Sequence, residues 1–235
     1  MPRAALVGIL VLLAASACDS QRSEREPLAL SPRLDSLTLV DAGVLALRYT
    51  LAVDKDTTTI DLDPQLVDAL YRAIGRVRAS EYAARVEGIR AFPLYPANEI
   101  YVLTDPSAAW TAAWARGEAR TGYAPVDERV SGRGFSVARF YEGQQYDTAV
   151  LATDRALNTL ALSRQLEAVP DVRDAGPNAR VGDGDDIEAE RAESGWRLDF
   201  SRGSGDCPSG CIHRVYWTFR VGDDGAVTYL GIRER

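Results

Sequence analysis

The chain has 235 residues, of which 46% are hydrophobic, 26% charged and 8% aromatic. This is the composition of a globular protein, and it excludes a wholly disordered chain, a collagen and a protein with many membrane spans. One histidine and three cysteines exclude a dense zinc or iron–sulfur scaffold, and a formal charge of −7 disfavours nucleic-acid binding because an acidic chain repels phosphate. We therefore predict no cofactor and no nucleic-acid partner.

The N-terminus predicts an export signal. Arg3 precedes an uncharged, apolar run over 4–17, which is 14 residues long and therefore short for a membrane span. The run ends in small residues and meets Cys18. This ending resembles the lipobox of bacterial lipoproteins, although that family most often has leucine where this chain has Ala15. The resemblance implies cleavage before Cys18 and acylation of this cysteine; the alternative is a plain secretory signal cleaved near Ala17.

The chain divides into three predicted segments. Residues 1–17 form the predicted signal peptide. Residues 18–33 form the predicted lipidated cysteine and a flexible tether, because they are polar, contain Pro27 and Pro32, and lack apolar periodicity. We predict a globular domain over 34–235, with a candidate sub-boundary near residue 180.

The first part of this domain contains both strand and helix patterns. Apolar residues recur at every second position over 37–53, which predicts one or two strands with a turn at 41–43. Asp63 and Pro64 predict the N-cap and first turn of a helix that ends near Ser80. The next predicted elements are a strand at 100–103, a helix at 108–118, a loop at 122–134, strands at 135–141 and 146–152, a helix at 157–169 and a short strand from Val172.

The C-terminal part has the clearest strand pattern. Residues 178–190 are rich in aspartate and glycine, which predicts an acidic turn. Apolar side chains then alternate over 196–200, 215–221 and 228–232, and the sequence Asp-Asp-Gly at 223–225 is a hairpin signal. We predict an α+β fold in which helices pack on antiparallel sheet and the chain ends in a three-stranded β meander.

Two cysteines lie close together between two of these strands. Cys207 and Cys211 are separated by Pro-Ser-Gly, which allows a tight turn, and an exported chain meets an oxidising compartment. We therefore predict a disulfide between them. The segment 205–213 resembles a motif of uncharacterised exported bacterial proteins, and this resemblance implies a folded C-terminal module without a known activity.

Two clusters contain metal-ligating residue types. The first suits zinc or copper and consists of Cys207, Cys211 and His213. The second has the density of acids found in calcium loops and consists of Asp183, Asp185, Asp186 and Glu188. The acidic run does not match the full calcium-loop pattern, so we favour a solvated turn there. For the cysteines we favour the disulfide over a metal site and over a redox pair.

His213 is the one candidate for a catalytic base. A hydrolase would use it together with Asp206 or Asp199. No serine or cysteine nucleophile is identifiable nearby, and His213 has the same parity as Val215 and Trp217. We therefore expect its side chain on the buried face of a strand, in a structural hydrogen bond.

A further resemblance covers residues 157–178, on the strength of Leu166, the pair Val169 and Pro170, Val172, and the pair Pro177 and Asn178. This stretch is similar to the last helix and strand of the inhibitor-like propeptides of subtilisin-type proteases. The resemblance implies a ferredoxin-like βαβ piece and, with it, inhibition of a protease.

The main functional hypothesis is an exported cell-envelope lipoprotein that is held by lipid at the periplasmic face and binds or scaffolds without catalysis. The expected partners are the membrane, through acylated Cys18, and an envelope protein or a small ligand. A secreted protein is the alternative localisation. An envelope hydrolase that uses His213 and a protease-inhibitor-like module are the alternative functions.

Overall fold

A computed structural model describes residues 32–235, with side chains from residue 36 onward. The predicted signal peptide, the predicted lipidation site Cys18 and the tether up to residue 31 lie outside the described residues. The helices are α1 Pro32–Tyr49, continued by the π-helical segment Thr50–Asp54, α2 Pro64–Arg78, α3 Thr111–Ala115, α4 Ala124–Val130 and α5 Thr159–Glu167. The strands are β1 Glu99–Thr104, β2 Ser136–Tyr141, β3 Asp147–Ala152, β4 Val172–Pro177, β5 Asp186–Arg191, β6 Trp196–Ser204, β7 His213–Val221 and β8 Val227–Glu234.

The strands form two antiparallel sheets of four strands each, which confirms the predicted α+β class. The first sheet has the order β2-β3-β1-β4 and the second the order β5-β6-β7-β8. The second sheet contains the predicted meander and adds β5 to it. The prediction of an acidic turn over 178–190 is therefore wrong for β5, because Ile187 and Ala189 point inward toward α1 while Glu188 and Glu190 are exposed.

Strands β1–β4 and helices α3–α5, residues 99–177, form the first module. The chain runs strand, two helices, strand, strand, helix, strand, and every neighbouring pair of strands is antiparallel. This connection order is the split βαβ, or ferredoxin-like, arrangement. The resemblance over 157–178 falls on α5 and β4 of this module. Its core lies between the helices and one face of the sheet and includes Ile100, Val102, Leu151, Leu162 and Leu166.

Helices α1 and α2 and strands β5–β8 form the second module. Helix α2 begins as predicted, since the Asp63 carboxylate accepts the backbone N–H of Gln65 at 2.9 Å and Pro64 occupies the first turn. The two helices pack on each other and on the sheet, and their common core includes Leu47, Leu70, Ile74, Phe200 and Phe219. Because the helices precede the first module and the strands follow it, the first module is inserted into the second.

The prediction of strands over 37–53 is wrong, since α1 and the π-helical segment occupy this stretch. Residues 41–47 are all buried, so the alternating residues are a subset of a helix that is apolar on nearly every side. This helix faces α2 and β5, and Gly43 lies against Ala156 beside the first module. By length and composition Ser36–Asp54 is apolar enough to cross a membrane, yet half of it is buried inside the protein.

The loop predicted over 122–134 contains helix α4 and a short 3-10 turn, so that prediction is wrong as well. Pro125 stands in the first turn of the helix. The Asp127 carboxylate reaches back to accept the backbone N–H of Thr121 at 2.7 Å and that of Gly122 at 2.9 Å. These bonds satisfy the backbone in front of the helix and close the turn that leads into it.

Asp41 joins three parts of the second module. Its carboxylate is only 1% exposed, and it accepts N–H groups from Arg78 at 2.6 Å, Arg90 at 2.9 Å and the backbone of Ala91 at 3.0 Å. Arg78 also donates to the carbonyl oxygen of Ile89 at 2.9 Å. Because a buried carboxylate is tolerated only when it is paired and hydrogen-bonded, this site fixes α1 against α2 and against the segment before β1.

Candidate functional site

Cys207 and Cys211 are joined by a disulfide in the loop between β6 and β7. The loop lies on the acidic segment that precedes β5. The backbone N–H of Asp183 donates to the carbonyl oxygen of Cys207 at 2.9 Å, and the N–H of Cys211 donates to Asp183 Oδ2 at 3.1 Å. Gly203 on β6 permits this packing, because a Cβ there would collide with Sγ of Cys211. The disulfide therefore closes one end of the second sheet.

Asp183 connects this loop to β7 through an ion pair. Arg214 donates one hydrogen bond to Asp183 Oδ1 and another to the hydroxyl of Ser201, the latter at 2.8 Å. The Arg214 guanidinium, followed by the backbone N–H groups of Gly184 and Cys211, lowers the pKa of Asp183 below its ordinary value. The charge of Asp183 is therefore bound by groups of the protein itself.

Asp185 and Asp186 also bond to the fold rather than standing free in solvent. Asp185 accepts the backbone N–H of Gly203 at 3.1 Å. Asp186 accepts the backbone N–H of Phe92 at 2.7 Å and pairs with Arg48 of α1 at 3.0 Å. The three aspartates of this segment therefore hold three different parts of the structure together.

The structure does not assemble either candidate metal cluster. The two sulfurs of the first cluster are bonded to each other. Among residues 36–235, no three histidine, cysteine, aspartate or glutamate side chains form a group that could hold a metal ion. In the second cluster, Asp183, Asp185 and Asp186 bond to separate partners, and Glu188 is exposed on β5.

His213 begins β7 and is exposed, which contradicts the expectation of a buried side chain. The parity of Val215 and Trp217 does indicate one strand face, but burial decreases along that face. Phe219 is fully buried, Trp217 and Val215 are half-buried, and His213 is exposed. The helices therefore cover the later part of β7 and leave its beginning in solvent.

Neither aspartate considered with His213 is hydrogen-bonded to it among the described residues. This residue lies opposite Ser204, and Asp199 is five residues further back on β6, about 17 Å away at the rise of a strand. Asp199 accepts the hydroxyl hydrogen of Thr218. Asp206 shares no hydrogen bond with His213 in the part of the chain that the structure describes.

A surface that sequence reasoning missed lies on the first module. Its helices pack on one face of the sheet, and the other face carries a mixed set of aromatic, aliphatic and charged side chains. We call this surface the open face. The strand registers assign to it Glu99, Tyr101, Leu103, Arg139, Tyr141, Thr148, Val150, Asp174 and Gly176.

Tyr101 is the central and best-fixed side chain of the open face. A Cβ built on Gly176 would lie 2.7 Å from Cε1 of Tyr101, so only glycine leaves room for the ring in this position. The Tyr101 hydroxyl donates to Asp174 Oδ2 at 2.9 Å. Burial, and next the Asp174 carboxylate, raise the pKa of Tyr101 above 10.0, so the phenol is uncharged and already oriented.

The charges of the open face are largely paired within it. Arg139 donates to Glu99 Oε1 at 3.0 Å, and the side-chain amide of Asn178 donates to the same oxygen. Tyr141 lies beyond this pair on the edge strand β2 and is 55% exposed.

One sequence signal could have indicated the open face. Residues 100–103 are all apolar, so they place apolar groups on both faces of β1.

No family model matches this chain, and neither the curated proteins nor the solved structures contain a match to it. The fold by itself defines the class, an α+β protein in which a ferredoxin-like module is inserted into a helix-covered antiparallel meander. Because ferredoxin-like modules serve many functions, this class assigns none to the chain.

Proposed function

We propose that this chain is a cell-envelope lipoprotein, anchored through Cys18, whose folded part binds an envelope protein without catalysis. The open face of the first module is the observation that carries the proposal. It is a four-stranded surface with helices on the other side only, and it holds one fixed and one exposed tyrosine. Cys207 and Cys211 are joined in a disulfide, and His213 is exposed at the start of β7.

The composition of the open face suits recognition of a protein. Tyrosine and arginine are enriched where interfaces gain most of their affinity, and unpaired charges are depleted there. Tyr101 is held by Gly176 and Asp174, so it loses little conformational freedom on binding. Arg139 and Glu99 neutralise each other, so a partner meets little uncompensated charge.

The leader sequence, and the compartment to which it directs the chain, support the proposed lipid anchor. A short apolar run that ends at Cys18 is the pattern of a lipoprotein signal. The disulfide between Cys207 and Cys211 is consistent with export, since such bonds persist outside the reducing cytoplasm. Export and acylation would keep the open face at the surface of a membrane in the envelope.

Metabolic labelling with palmitate tests the anchor. The wild-type protein should incorporate label and fractionate with membranes, and Cys18→Ala should abolish both. The double variant Cys207→Ser/Cys211→Ser is the matched control, because it removes two cysteines and should leave labelling unchanged. Absence of label in the wild-type protein, or retention of label in Cys18→Ala, would contradict the proposal.

Affinity capture from detergent-solubilised envelopes tests the binding surface. A partner of the open face should copurify with the wild-type protein and be lost with Tyr141→Asp. Tyr95 is 39% exposed and lies outside the open face, so Tyr95→Asp is the matched control and should retain the partner. Equal capture by both variants would contradict a role of the open face.

A second candidate function is that of a protease-inhibitor-like module. The stretch that resembles subtilisin-type propeptides forms α5 and β4 of a ferredoxin-like module, the arrangement which that resemblance implies. A panel of serine proteases, including subtilisin-type enzymes, tests this function directly. The candidate predicts saturable inhibition of at least one protease, and a panel without inhibition would remove it.

A further inference from the structure

A pocket on the second module lies between the first turns of α1, the end of α2 and the segment 83–90. Its volume is about 460 Å³, within the range of small-molecule sites. Aliphatic side chains form much of its wall, namely Leu37, Ala83, Ala84 and Val86. Leu37 is 41% exposed although it is a large apolar residue. The pocket is therefore a place at the protein surface where an apolar group can leave water.

Two arginines also line this pocket, Arg78 at the end of α2 and Arg90 in the segment before β1. Both donate to the buried carboxylate of Asp41, which is not part of the pocket wall. Two guanidinium groups thus share a single negative charge. The cluster of Asp41, Arg78 and Arg90 therefore keeps one net positive charge, and its two cationic members are the ones that reach the pocket.

Arg90 has donors that the fold does not use. Its Nε donates to Asp41, and its Nη2 donates to the carbonyl oxygen of Leu37 at 2.9 Å. Its Nη1 has no acceptor among the described residues and keeps its contact with solvent. A guanidinium has five N–H groups, so both hydrogens of Nη1 and one of Nη2 remain for another acceptor. Two such neighbouring nitrogens match the two oxygens of one carboxylate.

The wall of the pocket favours an aliphatic ligand. The backbone N–H groups of Ala83, Val86 and Ile89 already donate within their own turns, at 3.1 Å each. A peptide would bring amide groups that need partners, whereas an alkyl chain brings none. A phosphate monoester is close to a dianion at neutral pH and exceeds the single net charge of the cluster, whereas a carboxylate equals it. The pocket therefore suits an alkyl chain that ends in one carboxylate.

Glu87 is an acidic residue in the same wall, and it is exposed. Its charge opposes an anion in the pocket. Because an exposed charge interacts weakly through water, this opposition lowers the affinity for an anion without preventing binding. Glu87 therefore provides a position at which a substitution should strengthen binding.

We propose that this pocket binds the anion of an aliphatic monocarboxylic acid. Arg90, with Arg78 beside it, binds the carboxylate, and the alkyl chain lies along Leu37, Ala84 and Val86. The proposal goes beyond the proposed function and depends neither on the open face nor on the anchor.

Isothermal titration calorimetry of the full chain at about pH 7 tests the pocket with four probes. The probes are octanoate, butanoate, octan-1-ol, and N-acetyl-leucyl-leucine, a peptide with a free C-terminal carboxylate. Octanoate should bind roughly tenfold or more tightly than butanoate, because its longer chain removes more apolar surface from water. Octan-1-ol has the same chain without the charge and should bind more weakly than octanoate by roughly tenfold or more.

Substitutions of the pocket wall separate charge recognition from apolar contact. Arg90→Gln removes the unused donors and the charge, so it should weaken octanoate binding by roughly tenfold or more. Ala84→Leu changes an exposed residue and should fill the pocket without touching the Asp41 cluster. Arg220→Gln removes an exposed arginine on β7 outside the pocket wall and is the matched control, which should bind like the wild type.

Glu87→Gln tests the same site in the opposite direction. It should strengthen octanoate binding and leave octan-1-ol binding unchanged, since only the anion meets the Glu87 charge. Circular dichroism of each variant shows whether it is folded. If Arg90→Gln does not fold, Ala84→Leu and Glu87→Gln decide the question.

Three outcomes would overturn the proposal. The first is an absence of octanoate binding by the folded wild-type protein at roughly millimolar probe concentration, or binding of the peptide without binding of octanoate. The second is equal affinity for octanoate and octan-1-ol, which would identify a purely apolar slot. The third is wild-type affinity for octanoate in the folded variants Ala84→Leu and Glu87→Gln, which would place the bound octanoate elsewhere.

Discussion

The ion cluster around Asp41 allows a quantitative prediction about the stability of the fold. The substitution Asp41→Asn keeps the shape of the side chain and removes a charge that two guanidinium groups share. The amide can replace only part of the hydrogen bonding, and its NH2 group faces donors. Arg78, which is 8% exposed, is then left without its counter-ion in the interior.

The magnitude follows from the burial of the three groups. Removal of one partner from a fully buried ion pair costs about 3–5 kcal/mol. Arg90 is 35% exposed and remains solvated, so we place the loss in the free energy of unfolding at the lower end, about 3 kcal/mol. For a folded part of this size that loss lowers Tm by about 6–12 °C.

Thermal unfolding followed by circular dichroism measures this effect. The matched control is Asp68→Asn, which breaks an exposed i,i+4 pair with Arg72 on α2 and should change the free energy of unfolding by less than about 0.5 kcal/mol. Equal melting temperatures for Asp41→Asn and Asp68→Asn would refute the assignment of Asp41 as the joint between α1, α2 and the segment before β1.

Three further predictions address the C-terminal loop and the open face. Cys207→Ser/Cys211→Ser should lower the free energy of unfolding by about 2 kcal/mol through loss of a five-residue loop closure, and urea unfolding without that loss would contradict it. Asp183 has a lowered pKa in the folded state, so its contribution is present above its ordinary pKa of 3.8 and is lost as the pH falls through the lowered value. The Tm of the wild type should therefore fall more than that of Asp183→Asn between about pH 5 and about pH 2, and parallel profiles would exclude this linkage. Gly176→Ala should displace the Tyr101 ring and reduce partner capture while leaving the protein folded, and unchanged capture would show that the ring position is unimportant.

The region of α1 shows why part of the fold could not be predicted from the sequence. Alternating apolar residues indicate a strand only when the residues between them face solvent. Over 41–47 the residues between them are buried too, because α1 has the rest of the second module on one side and the border of the first module on another. Asp41 looked like part of a turn, and its partners Arg78 and Arg90 come from distant positions that local patterns do not reveal.

The meander was predictable because its signals are local. Strand alternation, hairpin glycines and the capping pair Asp63 and Pro64 depend on near neighbours only. The exposure of His213 was not predictable from the same signals. Strand parity fixes the face of a side chain, but the extent to which helices cover that face depends on the length and position of α1 and α2.

The candidate sites also differ in whether local sequence patterns could predict them. The disulfide was predictable because its two cysteines are four residues apart with a flexible turn between them. The open face depends on which strands become neighbours, since Tyr101, Gly176 and Asp174 meet only after β4 pairs with β1.

Site-specific photo-crosslinking in intact cells tests the central claim, that an anchored open face binds a protein of the envelope. A photoreactive p-benzoylphenylalanine would replace Tyr141, which is 55% exposed on the open face, and in a control Val181, which is 94% exposed outside it. We expect a discrete crosslinked adduct from position 141 in the membrane fraction and none from position 181. Identical crosslinking from both positions, or no adduct from position 141, would contradict it.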